Sequence, residues 1–363
     1  MRVARPVFSS TGHVLVNRGL ILTEGIIRRL GLLGVPALYI EDGPDFDLPA
    51  EDVICEETRQ QAVQQVRELF LAAQEDSAHL SRALLAAESL ARTVEEIADE
   101  LLARPEVVVN LTDIRAWDDY TFGHSVNVCV LSLLAGANLG LTRPQLYNLG
   151  LGAVLHDLGK VYVPQPVLQK PGSLTPEEFE LVKRHAEWGH RLAREIAGAG
   201  TLAALIPLQH HERYNGQGYP QGIKGDEIHD FAVICGLADV FDALTAERVY
   251  RPAYPVHEAY EYLAGSGNLL FEHRLLCAFL DNLALYPTGT PVLLSTGEVA
   301  VVVKTTRGLA RTPLVRVVLD PEGQPVTPYD LDLARHPDRV ITRVLSPEEA
   351  AQLPNSSGSP AAV

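Results

Sequence analysis

The chain has 363 residues, 47% of them hydrophobic and 21% charged, which is the balance of an ordinary globular protein with room for two or three domains. A formal net charge of −16 excludes broad binding to nucleic-acid polymers or anionic membranes, because no basic face could dominate that field. It leaves room for a small anion held by a few local cations.

The start, MRVARPVFSS, lacks the apolar core of a secretory signal. The longest apolar run, VCVLSLLAGANLGL (128–141), is too short for membrane insertion and reads as a buried helix. Four cysteines, Cys55, Cys129, Cys235 and Cys277, lie far apart without CxxC spacing. Reduced thiols and a cytoplasmic location are expected.

In chain order, residues 1–50 read as a small α/β module. RPVFSSTGHVLVNRGLIL suggests a hairpin turning at Thr11-Gly12; Thr23 can cap a helix through IIRRLGLL ended by Gly34, and PALYIED reads as a strand. Residues 51–104 are rich in Glu, Gln, Ala, Leu and Arg and carry no proline, the texture of one or two long helices. They are expected to serve as a helical linker or a homodimerisation element. The pattern stays helical over 105–286, interrupted by glycine- and proline-bearing loops at 159–176 and 213–230. Beyond Tyr286-Pro287, β-branched stretches alternate and turn at TGE and PEG, so 287–345 reads as a small antiparallel β module. Residues 346–363 have the composition of a flexible tail.

The helical part carries a series of candidate ligands: His124, His156-Asp157, His185, His210-His211 and Asp239. Successive candidates lie about 25 to 32 residues apart, one helix plus its connection, so successive helices of a bundle can each aim a ligand at one centre. Imidazole with carboxylate suits Fe, Mn, Zn or Ni, and one carboxylate can bridge two ions. A single histidine would more often be a packed or solvated residue, and His13, His79, His190, His229, His257, His273 and His336 receive no role. The others differ in context: HD is followed by Gly159 and Lys160, and HH runs into a loop rich in polar and aromatic groups.

HDLGK (156–160), VPQPVLQKPGSLTPEEFELVKRH (163–185), HHERYNGQGYPQGIKG (210–225) and ADVFDALTAERVYR (238–251) together resemble the HD-GYP subgroup of HD-domain phosphohydrolases. The resemblance covers roughly 110–285. It implies a mainly α fold, an HD-type helical-bundle catalytic domain flanked here by a small N-terminal α/β module and a C-terminal β module. It also implies a phosphodiesterase that hydrolyses cyclic di-GMP to pGpG, with GMP as the alternative final product, by attack of a hydroxide bridging two metals. The alternatives are a phosphodiesterase for another cyclic dinucleotide such as cyclic GMP-AMP, or a weakly active cyclic di-GMP binding module with signalling-protein partners.

Carried to matching positions, the implied metal ligands are His124, His156, Asp157, His185, His210, His211 and Asp239, with Asp157 bridging and iron or manganese as the ions. Where some members hold a third ion with a glutamate, this chain has Tyr120, so two ions are expected. Asp157 and Lys160 are the expected catalytic residues, with Lys160 and Arg248 gripping phosphate oxygens. Tyr219 would meet the base or a phosphate, while Gly216 and Gly218 let the loop approach the ligand and Pro220 stiffens its exit. The chain departs from the family at Asn215, where aspartate is usual, and at Phe271-Glu272-His273, where members have Phe-Asp-Pro. Asn215 is expected to affect the loop or substrate affinity and to spare the metal.

Overall fold

The computed structural model describes residues 2–3, 7–8, 14–33, 35, 38, 40–41, 53–74, 80–104, 108–109, 120–198, 201–246, 253–350 and 353. Two units result, one formed by 1–51, 108–119 and 283–363, the other by 52–107 and 120–282.

In the first unit, β1 (Arg2–Val3) pairs antiparallel with β4 (Ile40–Glu41), and β2 (Val7–Phe8) with β3 (Val14–Val16). Between β3 and β4 lies α1 (Glu24–Leu32), whose Thr23 cap accepts from the Ile26 amide as its sequence predicts. Val3, Val7, Val16, Leu30 and Val35 form the small core of this module. The expected turn at Thr11-Gly12 and the expected stop at Gly34 lie outside the described residues.

The second unit is helical. Its α2 (Glu56–Gln74) and α3 (Leu80–Leu102) pack together through two stripes at helical spacing: Ala62, Val66, Leu69, Phe70 and Ala73 on one, Leu90, Val94, Ile97, Ala98 and Leu101 on the other. Polar pairs key the two together, Gln61 to Thr93 and Gln65 to Ser89. Rather than standing apart, this pair packs on α4 (Tyr120–Asn138) and α5 (Arg143–Val154) as part of the bundle. α4 is the central helix: Val126, Val128, Cys129, Val130, Leu131, Leu133, Leu134 and Ala135 are all buried, as expected of a helix apolar on every side.

A short 3-10 turn (Leu158–Tyr162) follows α5, then α6 (Gln165–Leu168), α7 (Pro176–Lys183), α8 (His185–Ile196), α9 (Leu205–Gln209), α10 (Asp230–Thr245), α11 (Val256–Ala264) and α12 (His273–Leu280). Thr175 and Glu178 make a reciprocal capping box at the start of α7. Among the described residues no helix is long and apolar enough to cross a membrane. All four cysteines are free thiols.

The C-terminal part of the first unit is a five-stranded antiparallel sheet in the order β8-β7-β6-β5-β9, built from β5 (Pro291–Leu294), β6 (Val299–Lys304), β7 (Leu314–Leu319), β8 (Pro325–Asp332) and β9 (Ile341–Val344). Strict alternation buries Val292, Leu294, Ala300, Val302, Val315 and Val317 on one face. The turns fall at the expected TGE and PEG, where Gly297 and Gly323 have positive φ.

One close approach governs the helical unit. A Cβ placed on Gly159 would stand 2.0 Å from the His185 carbonyl oxygen and 2.4 Å from the Gly189 amide nitrogen, so the 3-10 turn lies against α8 only because residue 159 has no side chain. Gly159→Ala is expected to destabilise the protein by about 1–3 kcal/mol through overpacking. A thermal melt should show a lowered Tm together with loss of bound metal; a wild-type Tm would refute the tight contact.

Candidate metal centre

Five of the seven predicted ligands occupy a repeated position, just past the end of a helix. His156 and Asp157 follow the last turn of α5, His185 follows α7, and His210 and His211 follow α9. His124 and Asp239 project from within α4 and α10. The structure brings all seven together. Ring centroids of His124 and His156 are 5.2 Å apart, of His156 and His210 5.0 Å, of His185 and His211 5.1 Å, and of His210 and His211 4.0 Å. Asp157 lies 3.4 Å from His156 Nε2, 3.6 Å from His185 Nε2 and 3.8 Å from His124 Nε2. Asp239 reaches His124 Nε2 at 3.2 Å and His211 Nδ1 at 3.9 Å.

Three of the imidazoles are held in the same way. His156 Nδ1 lies 2.7 Å from the Ala153 carbonyl, His185 Nδ1 2.6 Å from the Val182 carbonyl, and His210 Nδ1 3.0 Å from the Pro207 carbonyl. A carbonyl only accepts, so each Nδ1 carries the proton and each Nε2 presents a lone pair. Those three Nε2 atoms, with Asp157 Oδ1, are buried without a hydrogen-bond partner. Leaving such atoms unmet costs about 1–3 kcal/mol apiece, a cost that a cation at their meeting point would remove. Two groups have all their ligand atoms within 4.8 Å of one another, Asp157 with His185, His210 and His211, and His124 with His156 and Asp157. Asp157 belongs to both, and the donor set suits a divalent transition metal.

The charges follow from this packing. Burial would raise the Asp157 pKa, but Lys160, His156 and His185 around it hold the carboxyl well below its ordinary value. Burial likewise opposes ionisation of Asp239, and the hydrogen bond with His124 outweighs it and keeps the group ionised. Burial lowers His185, and it carries His210 and His211 well below the usual imidazole value, aided by their imidazole neighbours. His124 is the exception. Burial would lower it too, yet hydrogen bonds to Asp239 and Asp242 push it up to about 10.

Among the other expected site residues, Lys160 Nζ is bonded to Asp157 Oδ2 at 2.5 Å with its side chain 31% exposed, so it stands between the cluster and solvent. Tyr219 stacks on His211 with centroids 4.6 Å apart and 29° between planes, so one ring face is already covered. Gly218 is required by contact: a Cβ there would lie 2.4 Å from Glu212 Cα and the Arg213 amide nitrogen. Asn215 Oδ1 accepts from the Gln217 amide at 3.0 Å, closing the loop, and stays outside both ligand groups. Arg248 lies outside the described residues.

The HD domain family profile matches residues 95–273, and that of the KOW domain associated with HD domain matches 291–353. The cyclic di-GMP phosphodiesterase PA4108 of Pseudomonas aeruginosa is 32% identical over 292 residues, covering 80% of this chain and 68% of that protein. The chain belongs to the HD-GYP family of HD-domain phosphohydrolases. A cyclic di-GMP phosphodiesterase of Thermotoga maritima is 36% identical over 196 residues, 53% of each chain. The 3'3'-cGAMP-specific phosphodiesterase 3 of Vibrio cholerae is 35% identical over 174 residues, 48% of this chain and 38% of that protein.

Three further residues shape this HD-GYP site. Asp242, buried, accepts through Oδ2 from His124 Nδ1 at 2.7 Å and through Oδ1 from Asn127 Nδ2 at 3.0 Å. Its place three residues after Asp239 on α10 puts both on one helix face, a spacing visible in ADVFDAL. Glu212, also buried, accepts through Oε1 from the amides of Gln221 and Gly222 at 2.7 and 3.2 Å and so ties the GYP loop to the histidine pair. Carboxylates that orient metal-bound histidines typically contribute about 10–100-fold in metal affinity, so Asp242→Asn should weaken metal binding by that factor with the fold intact. Titration calorimetry would show it, and wild-type affinity would refute the role. His124 must lose its proton to ligate, so loading the metal-free protein near neutral pH should release a proton from that residue and affinity should rise with pH. Calorimetry in buffers of different ionisation enthalpy reads the proton directly.

Proposed function

We propose that the chain is a metal-dependent phosphodiesterase that hydrolyses cyclic di-GMP to pGpG, and onward to GMP, with two iron or manganese ions at its centre. The observation that carries this reading is Asp157, shared by two ligand groups in which Asp157 Oδ1 and the Nε2 atoms of His156, His185 and His210 are buried without a hydrogen-bond partner. The names of the P. aeruginosa and T. maritima relatives support the substrate.

His124, His156, Asp157, His185, His210, His211 and Asp239 would hold the ions. When bound, these supply Lewis acidity and positive charge to a phosphodiester. The protein's own groups do the rest. Lys160 stands beside Asp157 at the exposed rim, placed to take a phosphate oxygen by a charge-assisted hydrogen bond. Arg248 is proposed as the second phosphate-binding cation. Tyr219, packed on His211 and braced by the loop that Glu212 anchors, shields the ligand pair from water. Cytoplasmic residence, pairing of two copies through 51–104 and contact with signalling partners belong to the same proposal.

A cyclic GMP-AMP substrate is the second reading, favoured by the likeness to the V. cholerae enzyme. Protein loaded anaerobically with Fe(II) or Mn(II) should convert cyclic di-GMP to pGpG or GMP, followed by chromatography with 3'3'-cGAMP in parallel. No product from either substrate under either metal would overturn the proposal, and turnover of cGAMP alone would establish the second reading. Asp157→Ala should lose bound metal and turnover together, whereas Lys160→Ala should keep its metal and lose about 10–100-fold in kcat/KM. Metal analysis beside the assay separates the two.

A further inference from the structure

We propose that the recess between the 3-10 turn Leu158–Tyr162 and α8 is a guanine-binding pocket separate from the metal centre. It is an open recess of about 380 Å³ lined by Tyr162, Trp188, Arg191, Leu192 and Glu195, a volume within the roughly 300–1,000 Å³ of small-molecule sites. None of these residues is among the candidate ligands. Tyr162 leaves 50% of its surface exposed, and its ring meets Trp188 edge-to-face at 5.9 Å and 74°, giving two aromatic walls at nearly a right angle. The guanidinium of Arg184 lies 4.7 Å from the Trp188 ring and holds the indole in place.

The polar lining points to the ligand. Arg191 and Glu195 stand four residues apart on α8, the spacing at which helical residues of opposite charge normally pair. Both are exposed at the rim of the recess, and no ion pair or side-chain hydrogen bond joins them to each other or to another described residue. A guanidinium fork and a carboxylate beside aromatic rings are complementary to one planar base in particular. Guanine offers O6 and N7 as acceptors to an arginine, N1–H and the N2 amine as donors to a carboxylate, and a π-face to stack. Adenine would set its N6 amine against Arg191 and its N1 lone pair against Glu195, two repulsive contacts in place of two hydrogen bonds.

Sequence ties the pocket to the centre, since Tyr162 follows Asp157 by five residues and Trp188 follows His185 by three. Its occupant is a guanine base, carried either by the substrate proposed above or by a free nucleotide. The pocket does not depend on the metal chemistry, so a probe without phosphate tests it alone. Intrinsic fluorescence of the 363-residue chain, which has two tryptophans, can be titrated with guanosine and with adenosine. Saturable quenching by guanosine at least tenfold tighter than by adenosine is expected, vanishing in Trp188→Phe and weakened about tenfold in Arg191→Ala and in Glu195→Ala. Absence of saturable quenching, equal response to adenosine, or quenching that survives Trp188→Phe would overturn the proposal. With cyclic di-GMP as substrate, a raised KM at unchanged kcat in Glu195→Ala assigns the pocket to a substrate base. An unchanged KM, with guanosine binding weakened, assigns it to a free guanine nucleotide.

Discussion

The site depends on a bond that each of three histidines makes with its own stretch of chain. A helix ends with carbonyls that have no amide to accept from. At the ends of α5, α7 and α9, a carbonyl from the last turn accepts the Nδ1 proton of a histidine three residues on. The contact fixes the tautomer that leaves Nε2 facing the centre. His124 reaches the same state differently. Lying inside α4, it has no free carbonyl to use, and the carboxylate of Asp242 takes that part.

Close packing turns these local arrangements into one centre. The 3-10 turn after Asp157 rests on the start of α8 at a position that tolerates only glycine, which brings the α5 and α8 stations together. The GYP loop is tied back by Glu212, the residue next to His211, so the loop and the ligand pair share a single anchor. The cost of the arrangement is a set of buried lone pairs and ionised carboxylates in a dry interior, tolerable because their charges and dipoles converge on one point.

Much of this was legible in the sequence. The seven candidate ligands stood out because imidazoles and carboxylates recurred at one-helix intervals, and the structure brings them together; the long apolar run over α4 announced a buried helix. The sheet over 291–344 was visible in strict alternation and in the TGE and PEG turns. What stayed hidden depends on tertiary contact. Asp242 reads as one more acidic residue of a helix until His124 is seen beside it, 118 residues away in the chain. Glu212 reads as an ordinary companion of the histidine pair until its carboxylate is found bonded to amides nine and ten residues on. The packing of α2 and α3 onto the bundle was equally beyond reach, because an amphipathic stripe shows that a helix has a partner without showing which.

The three helix-end histidines also set where the chain can change length. Each is aimed by a carbonyl three residues behind it, so inserting or deleting one residue between the last helical turn and the histidine would swing the ring away from its acceptor. An insertion in the connections that follow, such as the stretch between α6 and α7, would leave that geometry untouched. A change in length is therefore compatible with the site in the segments between stations, while the short step from helix end to histidine needs a fixed count.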